Sequence, residues 1–390
     1  MAFTMPSTRE QKKLNPRSDP HAPWFHLDPV IAVCAVVLSA ISVFVVFSAT
    51  RGRDFEDFDT SFRDRQLLFV AVGIGIMVVL TTIDYRLLQR WVWGIYAGAL
   101  GLLVLVLIPG VGSTDASGAV YSWFRFGSFS LQPSEPAKLA MVLALAWWLS
   151  RREGELDLFG LGVSLLIAAG PMALIYLQPD VGTMLVYASI TGGMLLVGRI
   201  ALQHMAVLAV AGVTAVYLFF LPKLGAFQRR RLTAFLDPSI DANYNVEQSQ
   251  IAIGNGGLSG TGFGKGSQTN SGLVPEQHTD FIFTVIGEEL GFIGGIFTLA
   301  LFGTLILRVY RTAIIAGDRF GSLVCVGVLS MFVFQVFQSI GMTMGIMPVT
   351  GIPLPFISYG GSSAITSFAG IGLVISVHMR RYMAAIDVSR

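Results

Sequence analysis

Apolar residues run through this chain in stretches longer than a soluble helix needs, separated by short polar breaks. Crossing a bilayer takes about 20 such residues per helix. Runs near that length recur ten times, predicting spans at approximately 27–49, 66–83, 91–109, 133–150, 159–177, 181–198, 203–221, 280–307, 322–345 and 361–379. The run from 159 to 198 is nearly continuous, and Gln178-Pro179-Asp180 folds it into a hairpin. The expected fold is an all-α polytopic membrane protein with ten transmembrane helices.

One connection departs from the short-loop pattern. Residues 222–279 form a long segment between the seventh and eighth spans, with apolar content (FQRRRLTAFL, QSQIAIGNGGL) suited to a membrane surface. Loops of this length usually carry function or are disordered. The layout read from the chain is a polar tail at 1–26, a membrane domain at 27–380 and a short tail at 381–390. The first apolar run is too long for a cleaved signal and reads as a retained span.

Composition agrees with the pattern: 53% of the 390 residues are hydrophobic and 13% charged, with mean hydropathy +0.67. Soluble domains carry nearer 25% charged residues. Cys34 and Cys325 both lie in apolar runs, so neither a disulfide framework nor a metal spacing is present. The net charge of +2 implies no particular partner, and no nucleic-acid partner is expected. Charge does orient the chain. With the N-terminus in the cytoplasm, inside loops and tails hold fifteen Lys/Arg and the short outside loops five, as the positive-inside rule requires. Both termini are then cytoplasmic.

Under that topology the unusual polar residues meet at the outer face. WFRFGSFSLQPSEPAK leads into the fourth span; Ser134 is positioned to cap it, and Glu135 and Lys138 share a face at i,i+3 spacing. This pair either hides both charges or presents Lys138, with the helix N-terminus, to a ligand phosphate. Asp180 either caps the sixth span or joins the same polar surface. Arg229, Arg230 and Arg231 meet lipid headgroups or grip a lipid pyrophosphate.

The run GNGGLSGTGFGKGSQTNSG fits neither G-x-G-x-x-G nor the P-loop pattern, because Lys265 is followed by Gly266. No nucleotide is expected; the run is a flexible loop or a close backbone approach to substrate. The prolines of MPVTGIPLPFISYGGSS argue for a cavity wall, since non-helical backbone at membrane depth must be covered by protein or line water. In the eighth span Gly287, Gly291 and Gly295 form a small-residue face suited to packing another helix. Asp280 sits at its mouth, with His278 and Thr279 beside it, whereas Glu288 and Glu289 point to an interior network. An enzyme of lipid-linked substrates, a transporter and a scaffold all remain open on these grounds.

HTDFIF…GEELG, QPSE–AK, QPD-GT, QS-IAIG-GGL and G-PLPF-SYGGSS together resemble the SEDS family of bacterial cell-wall proteins, which includes RodA, FtsW and the sporulation homologue. The match covers nearly the whole chain after the N-terminal tail, in family order. VPEQHTDFIF and IMPVTGIPLPF are closer to the elongation branch, RodA, than to the division branch, FtsW.

The resemblance implies a peptidoglycan glycosyltransferase that polymerises lipid II outside the cytoplasmic membrane, working with a class B penicillin-binding protein. Lipid II flipping is the rival role. The resemblance also implies that Asp280 is the essential aspartate, with Glu135, Lys138 and Asp180 as further functional positions. Arg125, Arg229, Arg230, Gln248, His278 and Ser358 complete the candidate pyrophosphate- and sugar-binding set. A divalent cation, Mg2+ or Mn2+, is a candidate cofactor.

Overall fold

The computed structural model describes residues 23–50, 60–114, 121–127, 129–152, 154–215, 218, 235 and 244–382. The two tails, most of 216–243 and the candidates Arg229, Arg230 and Arg231 lie outside the described residues.

Each of the ten expected segments contains a helix: α1 Pro29–Ala49, α2 Ser61–Thr82, α3 Tyr85–Val106, α4 Ser134–Ser150, α5 Leu158–Tyr176, α6 Val181–Val197 and α7 Leu202–Ala215. Two helices of the long connection follow, α8 Tyr244–Asn255 and α9 Ser267–Ser271; then come α10 Ile282–Ile315, α11 Arg319–Thr343 and α12 Gly361–Met379. Seven of them (α1, α2, α3, α5, α10, α11 and α12) are long and apolar enough to cross a membrane. At 17 residues, α4 and α6 rise only about 26 Å each. A small antiparallel sheet, β1 Ser113–Thr114, β2 Tyr121–Phe126 and β3 Phe129–Leu131, precedes α4. It is absent from the expected elements, although the aromatic run on either side of Gly127 carries the composition of a hairpin.

The centre of the bundle is α12, buried along nearly its whole length, with α11 beside it. Small residues admit its neighbours. A Cβ on Gly73 of α2 would meet Phe368 at 2.3 Å, and one on Gly372 would meet the Met77 carbonyl at 2.8 Å. Such close approach is how helices associate where no water drives them together. The end of the bundle bearing the α1 N-terminus is fastened by ion pairs between elements distant in sequence: Arg308–Asp28 at 2.6 Å, Arg86–Asp318 at 3.4 Å and Arg380–Asp84 at 3.8 Å.

The eighth expected span differs from its reading. It begins at Ile282, runs on to Ile315, and is broken at Gly291, whose φ of 65° and ψ of −163° are not helical. A break leaves backbone groups without partners, and hydrocarbon offers none. The glycine run supplies them. Thr261 and Gly262 donate to the Glu288 and Glu289 carbonyls, while the amides of Phe292 and Ile293 donate to the Gly257 and Leu258 carbonyls. The approach is so close that a Cβ on Gly256 would lie 1.9 Å from the Gly287 carbonyl oxygen, and one on Gly260 would lie 2.1 Å from that of Glu289. The glycines therefore admit backbone to backbone within the protein. The small-residue face likewise meets α8 and the following loop rather than a second long helix: Gly287 abuts Ile253, and Gly291 is the break itself.

Glu288 and Glu289 complete this joint. The buried Glu288 carboxylate accepts from the amides of Gln268 and Thr269 and from the hydroxyls of Ser267 and Thr269, capping α9. Glu289 accepts from Ser48 of α1. Both acids act as interior network residues, as the sequence suggests.

Candidate active site

The first turns of α4, α6, α10 and α12 are brought together by hydrogen bonds between segments far apart in sequence. Asp280 lies two residues before α10 in a tight turn, where the Glu276 carbonyl accepts from the amides of Thr279, Asp280 and Phe281. Glu276 holds φ 52°, a left-handed conformation that costs a non-glycine residue about 1–2 kcal/mol. The turn is clamped from the α12 side: Ser358 donates to the Thr279 carbonyl at 2.6 Å and accepts from Leu354, and the Tyr359 amide donates to the His278 carbonyl at 2.9 Å. Phe356, in the same clamp, is fully buried at φ 65°. Two strained residues at one turn mark where structure is held for a purpose other than stability. From the opposite side Gln277 reaches the Ala49 and Thr269 carbonyls.

The hydroxyl of Thr279 donates to Glu276, and the His278 ring packs against Phe62 and Tyr359. Both residues thus hold the Asp280 turn chiefly through their clamped carbonyls. Burial pushes the His278 imidazole below its ordinary value of 6.5, against a smaller raising effect of Glu276. A depressed histidine binds protons less readily folded than unfolded, so its contribution to stability is present above about 6.5 and lost as pH falls below it. Thermal unfolding measured from pH 7.5 to 5 is expected to show this acid loss, and His278→Phe is expected to flatten it; an unchanged acid limb would remove His278 from the account.

From the α12 start the network continues. Ser362 donates to the Ser130 carbonyl and accepts from the Gln132 amide, tying the sheet to α12. The Gln132 side chain lies 3.4 Å from Asp180. Arg125 faces Ser130 across the hairpin and is exposed at this rim. Asp180 caps α6: it accepts from the Thr183 amide at 2.9 Å and hydroxyl at 2.7 Å. Burial raises its carboxyl above the ordinary range, opposed by those two bonds and by the charge of Lys138.

Lys138 and Glu135 form an ion pair of 2.8 Å with both side chains almost fully buried. A lysine ammonium has three donors, and among the described residues Glu135 is the one acceptor of that group. Ser134 does not cap α4 as its position suggests: Pro133 occupies the cap and makes no side-chain bond, while Ser134 Oγ is buried with no partner among the described residues. The side-chain amide of Gln178 and the Thr350 hydroxyl are likewise buried and unpartnered among the described residues. Gly182 packs on the Thr350 carbonyl, placing that loop against the α6 start. Buried polar atoms are normally bonded to protein or water, so this cluster suits water or a polar ligand.

The structure thus joins Asp280, His278, Ser358, Asp180, Glu135 and Lys138 through one network, with Arg125 at its edge. Gln248 sits half-exposed on α8, which Ser249 fastens to Thr284 of α10 and to the end of α11. Gln132, Gln178, Tyr359 and Ser362 are contributors that sequence reasoning did not single out, although all four stand inside the quoted motifs. Among the described residues no three His, Cys, Asp or Glu side chains converge, so they do not form a metal site from protein groups alone.

A family model described as "Cell cycle protein", covering FtsW, RodA and SpoVE, matches residues 28–383. The peptidoglycan glycosyltransferase MrdB of Escherichia coli K12 is 37% identical over 372 residues, covering 93% of this chain and 96% of that one. The probable peptidoglycan glycosyltransferase FtsW of Geobacter metallireducens is 36% identical over 360 residues, covering 90% and 95%. A solved structure described as the coordination of polymerization and crosslinking by a peptidoglycan synthase complex superposes with TM-score 0.78 at 31% identity, covering 91% of this chain and 98% of that one.

Proposed function

The chain belongs to the cell cycle protein family of FtsW, RodA and SpoVE, and from that premise we propose that it is a peptidoglycan glycosyltransferase polymerising lipid II. The observation that carries the reading is the network of buried and half-buried polar residues joining the starts of α4, α6, α10 and α12, with an aspartate held in a strained, clamped turn.

In this mechanism Asp280 accepts the proton of the acceptor sugar hydroxyl as that oxygen bonds to the anomeric carbon of the donor. The bond from that carbon to the pyrophosphate oxygen breaks, and lipid pyrophosphate leaves carrying the electron pair. Positive charge favours that departure. Lys138 supplies it from beneath, with donors beyond the one used by Glu135, and Arg125 supplies it from the rim. Ser358 and His278 keep Asp280 in place. A divalent cation would arrive with the pyrophosphate and add positive charge to the leaving group, as Mg2+ does when it accompanies phosphates.

The site lies at the outer face, as the loop charges imply. A cysteine placed at Arg125 is expected to react with a membrane-impermeant thiol reagent in intact cells, since Cys34 and Cys325 are buried; labelling only after lysis would reverse the orientation. The motifs VPEQHTDFIF and IMPVTGIPLPF favour the elongation role with a class B penicillin-binding protein as partner, and the similarity to a synthase complex supports such a partner. The division role, with the same chemistry, is the alternative. The deciding experiment incubates the purified chain and its partner with lipid II. Glycan polymer is expected; transfer of lipid II across vesicles without polymer would overturn the enzyme reading in favour of a flippase.

A further inference from the structure

At the opposite end of the bundle, a cleft of about 690 Å³ opens between the first turns of α3 and the last turn of α4. Its walls combine two kinds of chemistry. Arg90 and Arg151 supply charge, while Leu87, Trp93 and Trp147 supply apolar surface. The spacing is helical on both sides: Arg90 and Trp93 stand three apart on α3, Trp147 and Arg151 four apart on α4. The two indoles meet edge to face at 5.2 Å, and the Arg151 guanidinium lies 3.8 Å over the Trp147 ring.

Charge within the cleft is unbalanced. Arg86 is engaged by Asp318, and Asp84 caps α3 while standing 3.8 Å from the Arg380 guanidinium. Arg90 and Arg151 are exposed and have no carboxylate partner among the described residues. Leu87 in the cleft wall is 50% exposed, and Trp91, one turn along the same face of α3, is 71% exposed. Tryptophans of this kind sit at the headgroup level of a bilayer.

We propose that this cleft is a binding site for an anionic phospholipid. Arg90 and Arg151 hold the headgroup phosphate, and Leu87, Trp93 and Trp147 receive the glycerol backbone and the top of an acyl chain. A soluble phosphate would match the arginines and leave the apolar wall unused, which is why a lipid is the better occupant. The site is separate from the polymerising network in place and chemistry, so its failure would leave the proposed function untouched.

The test uses the purified full chain in neutral detergent, with phosphatidylglycerol, phosphatidylcholine or glycerol 3-phosphate added, read by native mass spectrometry and thermal unfolding. Phosphatidylglycerol is expected to remain bound and raise the unfolding temperature. R90Q/R151Q is expected to weaken that binding by about fivefold for each arginine removed, and R90K/R151K to retain most of it, which separates lost charge from a damaged cleft. Equal retention by R90Q/R151Q, or equal binding of phosphatidylcholine, would overturn the proposal. Displacement of the lipid by glycerol 3-phosphate at comparable concentration would also overturn it, in favour of a soluble ligand.

Discussion

Replacing Asp280 with asparagine is expected to lower glycan polymerisation by about 10²–10⁴-fold, the usual worth of a positioned acid–base group. The amide matches the carboxylate in shape and cannot take a proton at neutral pH. The backbone of the turn depends on the Glu276 carbonyl and on the Ser358 and Tyr359 clamp, none of which uses the Asp280 carboxylate. The variant should therefore unfold within a few degrees of the parent and still bind its partner. Polymer formation by the purified complex, measured beside thermal unfolding, checks both statements. Polymer at the parental rate would sink the assignment of Asp280 as the base. Lost polymer with a collapsed unfolding temperature would point instead to a structural role.

Gly291→Ala carries the other large expected effect, on stability rather than chemistry. At φ 65° and ψ −163° the residue occupies a region reserved for glycine, costing another residue about 1–3 kcal/mol. A Cβ there would also sit 2.2 Å from the Gly260 amide nitrogen and 2.8 Å from the Leu258 carbonyl oxygen, both rigid backbone atoms. The loop must then back out of the break, and four backbone hydrogen bonds go with it. Each buried group left unsatisfied costs about 1–3 kcal/mol, so a total loss of about 4 kcal/mol or more is expected. Unfolding in detergent, together with proteolysis within 256–266, measures it. A stable Gly291→Ala protein with a protected loop would show that the break is incidental.

Much of the architecture was legible in residue order. Apolar runs long enough to span hydrocarbon can do little but become helices, because each helix satisfies its own backbone. The helices found within all ten expected segments follow from that. Motif residues such as Gln132, Asp180, Asp280 and Ser358 were visible too, and the resemblance they carry agrees with the family match.

Other features had no local signal. A glycine inside an apolar helix looks alike whether the helix runs through it or breaks there. At Gly291 the outcome rests on Gly257, Leu258, Thr261 and Gly262, some thirty residues upstream, whose backbone atoms fill the gap. Ser134 stands where a cap is favoured, yet the cap position falls to Pro133 and the buried hydroxyl has no partner among the described residues. The pair Glu135–Lys138 was a spacing in the sequence and a buried ion pair only after α4 was enclosed.

Residue order by itself determined the membrane class, the helical segments, their charge bias and the set of polar residues available for chemistry. These depend on transfer free energies that each segment settles alone. Tertiary structure decided which of those residues meet: that the Asp280 turn is clamped by Ser358 and Tyr359, and that Gln132 reaches Asp180. It also turned the glycine run inward on α10. Those outcomes depend on backbone groups seeking partners where no water is at hand, and the partners come from elements far away along the chain.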